Sequence, residues 1–439
     1  MLFSTPRVGG KIMNYGQLIK LQEGEDIIIL NPETKKWMLT SIQGWEIFLL
    51  KKRSALSNSE ISSRVGILIS DIIVFFEKID DLFSVNNERV SSIANSCSIH
   101  LTSNCNMGCL HCRYSCGQIT DNLPLSTIQK YLEGAIEDGS SSLTITGGEP
   151  LTNWLKCREV IILARRIGMK VNLLTNGSLI SPKIASFLGE NDVNVQVSLD
   201  SLNEERFYQF RGHSLNRVKI GIERLVRFKV NVGLSFVLSR LTLDGFYEVI
   251  EYAQRVGVKG IHLPFLEKGG RGNANWQQLS LGDDEMINFW NHFLSLYFSG
   301  GLRSRLTCSD VENILLKIIY PPVEDCCRCG RTTSTLYPDG KIYACTNLVG
   351  NPSFILGKPG AITFQEMRQK DNIVQLPTVK DISECSNCHF GWICLGGCRD
   401  RSIVYYGNEY HIDPWCEVFK WLFNKLIFCA ARLLEKKEI

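Results

Sequence analysis

Residues 105–112 read Cys-Asn-Met-Gly-Cys-Leu-His-Cys, which places Cys105, Cys109 and Cys112 at the spacing C-x3-C-x2-C. Three such thiolates can hold three irons of a cubane, whereas a four-iron cluster normally takes four cysteines. One iron would then stay open to a small molecule, and an open metal position is typical of a catalytic site. Taken alone, the triplet would also fit a zinc loop completed by a distant ligand.

A second motif follows a predicted strand at residues 142–146 and reads Gly147-Gly148-Glu149-Pro150. Together the two motifs resemble the radical S-adenosylmethionine (SAM) superfamily, and the resemblance covers about residues 97–275. It implies a [4Fe-4S] cluster whose open iron is chelated by the amino and carboxylate groups of SAM. Residues 147–150 would take the amino group, since glycines let the backbone come close and a glutamate accepts hydrogen bonds from an ammonium. His111 stands where the superfamily usually has Tyr or Phe, which leaves the adenine contact open.

The length and composition are typical of a globular chain with two or three cores. The chain has 439 residues, 44% hydrophobic and 21% charged, with a net charge of +3 that says little about partners. Residues 1–20 lack the apolar stretch of a signal peptide, and no stretch reaches about eighteen uncharged apolar residues. We therefore expect a cytoplasmic protein with no membrane segment. In such a chain, 17 cysteines favour metal sites over disulfides.

Residues 1–88 predict a small winged-helix-like module. Strands are expected at 26–30 and 36–39 around a turn, followed by helices at 42–52, 57–65 and 68–83. The second of these helices opens with the capping box of Ser57 and Glu60.

Two functions fit that outline, besides a packing module without a ligand. DNA binding requires a basic face, but residues 1–85 hold ten Lys or Arg and ten Asp or Glu. The hairpin, Asn-Pro-Glu-Thr from residue 31 followed by Leu-Thr at 39–40, resembles the peptide-recognition element of enzymes that mature ribosomally made peptides. The resemblance implies that the leader of a precursor peptide adds a strand to the hairpin edge.

From residue 97 the pattern changes to alternating strands and helices. Strands are expected at 98–102, 143–146, 170–175, 194–199, 231–238 and 260–264, with helical connections such as 154–168 and 216–229. Six repeats predict an α/β fold, a partial (β/α)6 barrel over residues 97–275, with its sites where strands end.

Polar residues follow the third and fourth of these strands. By the resemblance, SAM contacts fall on Thr175, Asn176, Ser198 and Asp200, and Arg211 would pair with the SAM carboxylate through its guanidinium fork. Taken singly, Asn-Gly is an ordinary turn, Ser-x-Asp a helix cap and Arg211 a surface ion pair. Their joint position at one end of the barrel favours a binding site. The Gly-rich residues 269–273 are expected to form a flexible loop that could line the substrate opening.

After a bridging region at 276–320, in which Cys308 has no partner spacing, residues 321–439 are rich in cysteine. This region resembles the SPASM extension, which holds two auxiliary [4Fe-4S] clusters. The resemblance assigns the first auxiliary cluster to Cys329, Cys345, Cys398 and one of Cys326 and Cys327. It assigns the second to Cys385, Cys388, Cys394 and Cys416. Two zinc sites are the alternative, because C-x2-C pairs are common zinc ligands. Residues 415–434 predict an amphipathic helix docked on the protein.

These resemblances imply a radical SAM/SPASM peptide maturase with three [4Fe-4S] clusters. It would take electrons from a low-potential donor such as a flavodoxin or ferredoxin. A 5′-deoxyadenosyl radical would then abstract hydrogen from a precursor peptide, giving a carbon–carbon or thioether crosslink. Glu267, Asp310 and Tyr337 are conceivable acids or bases, each of which also fits a structural role.

Two rivals remain from the sequence. The first is an anaerobic sulfatase maturase, which would make formylglycine. Such enzymes have Asp directly after the cysteine that corresponds to Cys345, whereas this chain has Thr346 there. They also lack the N-terminal module. A zinc-bearing winged-helix regulator is the other rival, and iron content would separate it from the enzyme.

Overall fold

The computed structural model describes residues 7–8, 11–12, 18–54, 56–83, 95–117, 121, 123–322, 324–361, 363–367 and 376–436. These residues form a two-stranded sheet, a three-stranded antiparallel sheet and a ten-stranded sheet. The strands are β1 (Arg7–Val8), β2 (Lys11–Ile12), β3 (Ile19–Glu23), β4 (Asp26–Asn31), β5 (Lys36–Ser41), β6 (Ser96–His100), β7 (Ser142–Thr146), β8 (Lys170–Thr175), β9 (Val193–Ser198), β10 (Val232–Ser235), β11 (Gly260–His262), β12 (Thr307–Cys308), β13 (Thr333–Leu336), β14 (Ile342–Tyr343) and β15 (Ile355–Gly357).

The helices alternate with the strands through the middle of the chain. They are α1 (Ile42–Ser54), α2 (Asn58–Val65), α3 (Ile69–Asp81), α4 (Leu125–Glu137), α5 (Trp154–Arg166), α6 (Pro182–Glu190), α7 (Glu204–Arg211), α8 (Leu215–Arg227), α9 (Phe246–Val256), α10 (Gly270–Ala274), α11 (Trp276–Leu279), α12 (Asp283–Phe298), α13 (Ser309–Ile319), α14 (Phe364–Met367), α15 (Gly391–Cys394), α16 (Arg399–Tyr406) and α17 (Cys416–Glu435).

The ten-stranded sheet is the centre of the molecule. Its order is β12-β11-β10-β9-β8-β7-β6-β13-β14-β15, and neighbouring strands from β12 to β13 are parallel. The six strands expected from residue 97 onward are present as β6–β11. The sheet extends beyond both ends of that set, with β12 beside β11 and β13–β15 beside β6. The expected α/β fold with a parallel sheet is therefore confirmed.

Strands β7, β8 and β9 each have one buried, largely apolar face. In β9, for example, Val193, Val195 and Val197 are buried in the main core while the residues between them are half-buried. Because side chains alternate across a strand, the apolar positions meet the helices and the polar positions share the opposite face. The candidate site lies on that polar face and at the carboxyl ends of the strands.

The small antiparallel sheet at the N-terminal end has the order β3-β4-β5, one strand more than the predicted hairpin. Its central strand β4 is buried on both faces, since Ile27 and Ile29 pack with α1–α3 while Ile28 and Leu30 belong to the main core. A strand covered on both faces carries a continuous apolar run, as residues 27–30 do. The predicted capping box of α2 is present, with Ser57 N donating to Glu60 Oε2 at 2.7 Å.

Helix α17 holds the small sheet against the rest of the molecule. Arg432 pairs with Asp26 at 2.8 Å and Lys425 with Glu23 at 3.0 Å. The indole N–H of Trp37 donates to the carbonyl of Ile318 at 3.1 Å. The prediction that the last helix docks on the protein is thus confirmed. Within the described part of the chain, no helix combines the length and apolarity needed to cross a bilayer.

Candidate active site

The carboxyl ends of the central strands surround a cavity of about 290 Å³, called here the cysteine cavity. All three cysteines of the opening motif line it. Six of the nine predicted SAM contacts line it too: Gly147, Gly148, Thr175, Asn176, Ser198 and Arg211. The other three, Glu149, Pro150 and Asp200, lie behind its wall. Residues that are up to 106 positions apart in the chain are thus brought to one place, as expected for loops that follow parallel strands.

Backbone hydrogen bonds close the cysteine loop and attach it to the end of α7. Cys105 N donates to Gly117 O at 2.8 Å, which closes the loop on itself. Leu110 N donates to Phe210 O at 2.9 Å, and Gly108 N donates to Arg211 O at 3.2 Å. The loop is therefore fastened to the end of α7, the helix that presents Arg211.

Helix α10 clamps the same loop from the other side. The Arg271 guanidinium donates to Cys109 O and to Cys116 O, both at 2.8 Å, and Arg271 N donates to Cys112 O at 2.9 Å. Gly270 has φ +50°, and a Cβ there would lie 2.3 Å from Arg113 O. The prediction of a flexible loop at 269–273 is wrong: these glycines permit close packing of a helix, and Arg271 lines the cavity.

The Gly-Gly turn packs directly on the strand beside it. A Cβ on Gly147, which has φ +136°, would lie 2.4 Å from Thr102 O, and one on Gly148 would lie 2.2 Å from Asn104 O. Gly148 N donates to Thr102 O at 2.7 Å. Only glycine fits at these two positions, which leaves the turn as backbone facing the cavity.

Glu149 ties this turn to the end of β8. Its buried carboxylate accepts hydrogen bonds from Thr175 Oγ1 at 2.7 Å, Asn176 N at 2.6 Å and Leu151 N at 3.0 Å. Burial raises the pKa of Glu149, and these hydrogen bonds oppose that rise. In this arrangement Glu149 positions Thr175 and Asn176, two of the cavity's polar side chains.

Arg211 and Asp200 form a buried ion pair at the cavity wall. Arg211 Nε donates to Asp200 Oδ2, and Asp200 Oδ1 accepts from Val237 N at 2.8 Å. Arg211 Nη1 reaches Cys109 Sγ at 3.8 Å. The carboxylate therefore fixes the guanidinium beside the cysteines, where it can meet an anionic group. Asp200 acts through Arg211, and the structure gives no support to a surface ion pair there.

His111, at the position of the superfamily's usual aromatic residue, stacks on Phe210 with ring centroids 4.3 Å apart. Its Nδ1 is buried and has no hydrogen-bond partner in the described part of the chain. Burial lowers the pKa of His111, and the nearby Arg211 and Arg271 lower it further. The ring is accordingly neutral and lines the cavity as a flat, largely apolar surface.

Cys116 was not predicted as a site residue, although it lines the cavity with the three others. Its hydrogen bond to Cys112 lowers the pKa of Cys112 to about 5. The only signal in the sequence was a fourth cysteine four positions after Cys112.

The C-terminal cysteines form two groups. In the first, the Cys329 pKa is raised by a hydrogen bond to Cys345, by burial, and by the neighbouring thiols of Cys345, Cys327 and Cys398. The backbone of Cys326 instead forms an isolated antiparallel β-bridge with Thr378, and the charged neighbours of Cys326 include Arg331 and Asp325. Of the two adjacent cysteines that the sequence could not separate, the structure therefore places Cys327 with the group.

The second group contains the remaining four predicted ligands. The pKa of Cys394 is raised to about 12, mainly by burial. The charge of Asp413 contributes to this rise, and so do the neighbouring thiols of Cys416, Cys385 and Cys388. The structure thus brings the members of each predicted set of four near one another and leaves Cys326 outside the first set.

The donor sets fit iron–sulfur cubanes. All 17 cysteines lie in the described part of the chain and are free thiols. Among the described residues, no three metal-binding side chains converge closely enough to hold a single ion. A cubane does not require such convergence, because each thiolate binds a different iron. Four cysteines line the cavity, and the three of the C-x3-C-x2-C motif, beside the Gly-Gly turn and Arg211, fit a cluster with one open iron.

Arg113 links the cysteine loop to the C-terminal region. It donates to Glu267 Oε2 at 3.1 Å and to Asn347 O at 2.7 Å, and it pairs with Asp400. Asn347 Nδ2 in turn donates to Glu267 Oε1 at 2.8 Å. Glu267, a conceivable base from the sequence, is therefore engaged at both oxygens in joining two regions. Asp310 accepts from Leu263 N at 2.7 Å and contacts His262 at 3.1 Å, away from the cavity.

Comparison with known proteins agrees with this geometry. Residues 99–260 match the Radical SAM superfamily. The chain is 26% identical to the AdoMet-dependent heme synthase of Methanosarcina barkeri, over 72% of this chain and 94% of the relative. It is 25% identical to the radical SAM cyclopropyl synthase TigE of Paramaledivibacter caminithermalis, over 91% and 88%.

Two solved structures share the fold. The structure of anSMEcpe with bound AdoMet has a TM-score of 0.65 at 21% identity, over 77% of this chain and 99% of that chain. Streptococcus suis SuiB bound to precursor peptide SuiA has a TM-score of 0.61 at 14% identity, over 91% and 98%. In fold, and over residues 99–260 in sequence, this chain is therefore similar to radical SAM superfamily proteins, a likeness that implies SAM and a [4Fe-4S] cluster. The chain resembles TigE over most of its length and shares its fold with anSMEcpe and SuiB.

Proposed function

We propose that this chain is a radical SAM peptide maturase that oxidatively modifies a ribosomally made precursor peptide, forming a carbon–carbon or thioether crosslink. The observation that carries the radical SAM part is the cysteine cavity. It joins three cysteines on one loop to the Gly-Gly turn, Thr175, Asn176, Ser198 and Arg211. A small molecule with an amino group, a carboxylate and a ribose would find a complementary group for each.

The proposed cofactor sites follow the three groups of thiols. Cys105, Cys109 and Cys112 would hold the cluster that binds SAM. Cys327, Cys329, Cys345 and Cys398 would hold the first auxiliary cluster, and Cys385, Cys388, Cys394 and Cys416 the second. When bound and reduced, the cluster that binds SAM would supply the electron that cleaves a carbon–sulfur bond of SAM, and the 5′-deoxyadenosyl radical released with methionine would abstract hydrogen from the peptide. The electrons would come from a low-potential donor such as a flavodoxin or ferredoxin.

The chain's own residues would bind and orient these groups. Asp200 holds Arg211 where it can pair with the SAM carboxylate, and Glu149 holds Thr175 and Asn176 where they can contact SAM. The turn at Gly147 and Gly148 offers backbone to the SAM amino group. Arg271 and the end of α7 fix the cysteine loop, so the three thiols keep their relative positions and water is kept from the buried side.

Peptide recognition is proposed for residues 1–88. Strands β3 and β5 each pair with β4 alone among the described strands, so each has an outer edge to which a peptide could add a strand. The coverage of the relatives supports this proposal. TigE and SuiB match 91% of the chain, whereas anSMEcpe matches 77%. Of the two solved structures, the one that matches more of this chain is SuiB, which was solved bound to the precursor peptide SuiA.

A formylglycine-generating enzyme like the sulfatase maturases is the second candidate, and the likeness to anSMEcpe favours it. The residue after Cys345 weighs against it. Thr346, at the position where those enzymes carry Asp, has its hydroxyl 3.3 Å from His100 Nε2 and 3.4 Å from Ser98 Oγ. A hydroxyl held in this way is a poor replacement for a carboxylate base.

The test is the mass of the peptide. Enzyme with reconstituted clusters, SAM and dithionite is incubated with the synthetic precursor encoded by a short reading frame beside this gene. We expect loss of two hydrogens from the core of the peptide, and much slower reaction when the leader is removed. SAM cleavage without any change in the peptide would contradict the maturase proposal, whereas failure to cleave SAM would contradict the radical SAM assignment itself.

A further inference from the structure

A second cavity, of about 630 Å³, lies on the polar face of the central sheet. It is called here the amide trough, extends from β7 to β12, and is centred on Asn172, Asn194, Asn231, Gly233 and Gly260. Leu174 and Gln196 line both this trough and the cysteine cavity, so the two are contiguous.

The composition of the trough is unusual for a parallel sheet. Such sheets are normally covered on both faces and carry apolar side chains on each, and the inside of a β/α barrel is normally filled by bulky branched residues. Here the side of the strands opposite the apolar core carries amides and glycines. A face with this composition favours contact with a polar ligand over an apolar one.

The three asparagines form a ladder across neighbouring strands. Asn194 Nδ2 donates to Asn172 Oδ1 at 3.0 Å, and Asn231 Nδ2 donates to Asn194 Oδ1 at 2.8 Å. This arrangement orients the amides so that Asn172 presents N–H groups at one end and Asn231 presents an oxygen at the other. Peptide backbone offers the same alternation of donors and acceptors.

Beside the ladder, two glycines make room. Gly233 and Gly260 are directly paired on β10 and β11. A Cβ on Gly233 would meet only the backbone of Gly260, at 3.5 Å, which is ordinary contact. Neither glycine has positive φ, so the backbone does not require glycine at either position. Their effect is to deepen the trough.

Charge narrows the class of ligand. Among the described residues that line the trough, Lys259 and His262 are the only ones with ionisable side chains. A nucleotide or phosphate ligand would need a cluster of basic groups, and a cationic ligand would need carboxylates. A neutral ligand rich in amide groups fits the lining best.

We propose that the amide trough binds the part of the precursor peptide that flanks the modified residue, as an extended segment hydrogen-bonded to the asparagine ladder. This inference rests on the proposed function and adds a second peptide site, distinct from the N-terminal sheet. The leader would be held at residues 1–88, and the trough would place the core next to the cysteine cavity.

The test compares peptide binding by three variants of the full-length enzyme with reconstituted clusters. Asn194→Leu removes both ladder hydrogen bonds at similar side-chain volume, and Gly233→Val fills the trough without removing a polar group. Asn191→Leu is the matched control, because Asn191 lies three positions before Asn194 on the turn after α6, outside the trough. The probe is the fluorescein-labelled synthetic precursor, and its Kd is measured by anisotropy in the presence of SAM.

We expect Asn194→Leu to raise this Kd about tenfold, which corresponds to about 1.4 kcal/mol, because the central amide of the ladder is lost and its two neighbours are no longer oriented toward the peptide. Gly233→Val should raise it at least as much, and Asn191→Leu should leave it unchanged. Iron content and SAM cleavage without peptide should match the wild type in all three. One trough variant removes polar groups and the other adds bulk. If one of them misfolds, the other still tests whether the trough binds the peptide.

The outcomes separate the two proposals. Wild-type Kd in both trough variants would overturn the trough and leave the maturase proposal standing. A wild-type enzyme that cleaves SAM but neither binds nor modifies the precursor would overturn both.

Discussion

At the scale of single residues, Cys326 and Cys327 show what local sequence cannot resolve. Both are buried or half-buried cysteines in one Cys-Cys pair, and spacing gives no reason to choose between them. The fold does, because Cys327 is near Cys329, Cys345 and Cys398 while Cys326 turns toward Thr378.

This difference gives a prediction about iron content. Cys327→Ala should lower the iron content by up to four of the roughly twelve irons of three cubanes, because one iron of the first auxiliary cluster would lose its protein ligand and, unlike the SAM cluster, would have no small molecule to replace it. Cys326→Ala, one position away with the same change, should keep them all. Iron and sulfide analysis after anaerobic reconstitution measures both variants, and equal losses would contradict the assignment of Cys327.

Arg211 is the other residue whose role depends on its setting. Replacing it with Lys keeps the charge but removes the planar fork that Asp200 orients. We expect the Kd for SAM to rise about tenfold, the size of one charge-assisted hydrogen bond, in equilibrium dialysis of the reconstituted enzyme. Arg217→Lys, an exposed arginine on α8, is the control. An unchanged affinity in Arg211→Lys with normal iron content would remove Arg211 from the site.

At the scale of elements, local patterns predicted the strands well and the Gly-rich segment badly. Alternation of apolar residues located all six strands from β6 to β11, since each buries one face against helices. Residues 269–273 contain three glycines and therefore predict a loop. They form α10 because contact with the backbone of the cysteine loop requires small residues and outweighs low helix propensity.

Substitution of these glycines tests the packing. Gly270 and Gly301 both have positive φ, so alanine strains the backbone at each by about 1 kcal/mol. Only at Gly270 would the new Cβ also meet backbone, at 2.3 Å from Arg113 O, whereas nothing lies within 4 Å at Gly301. We expect Gly270→Ala to lower both the thermal midpoint and the iron content, and Gly301→Ala to lower only the midpoint, slightly. Equal effects would mean that α10 does not support the cysteine loop.

At the scale of the whole molecule, the question is what holds the N-terminal sheet in place. Its ion pairs to α17 are partly exposed, with Arg432 at 43% and Asp26 at 40% side-chain exposure. Pairs of this kind contribute little. Leu30, by contrast, is fully buried where β4 meets the main core.

We therefore expect Arg432→Gln to change the free energy of unfolding by less than about 1 kcal/mol. Leu30→Ala should reduce it by about 2–5 kcal/mol through lost burial and the cavity left behind. Urea unfolding of the two variants under identical conditions measures the difference. A larger effect for Arg432→Gln would show that charge, and not apolar contact, fastens the sheet.

The order of strands in the large sheet also could not be predicted from the sequence. Pairing of β13 with β6 joins segments more than 230 residues apart, and no local pattern records which distant strand becomes a neighbour. The cysteine spacings were readable because they are local, whereas Cys116, Arg271 and the partners of Glu149 depend on the assembled fold.

The parallel pairing of β13 with β6 has a consequence for anyone recombining such enzymes. Four residue pairs, from Thr333 with Ser96 to Leu336 with Ile99, fix the register between the strand that leads into the first cysteine motif and the one that leads into the later ones. The C-terminal region is therefore part of the same sheet as β6–β12 and is not a separate domain joined by a linker. A chimera that exchanges it at residue 321 would have to carry over the matching edge of β6, or the two halves would lose their common scaffold.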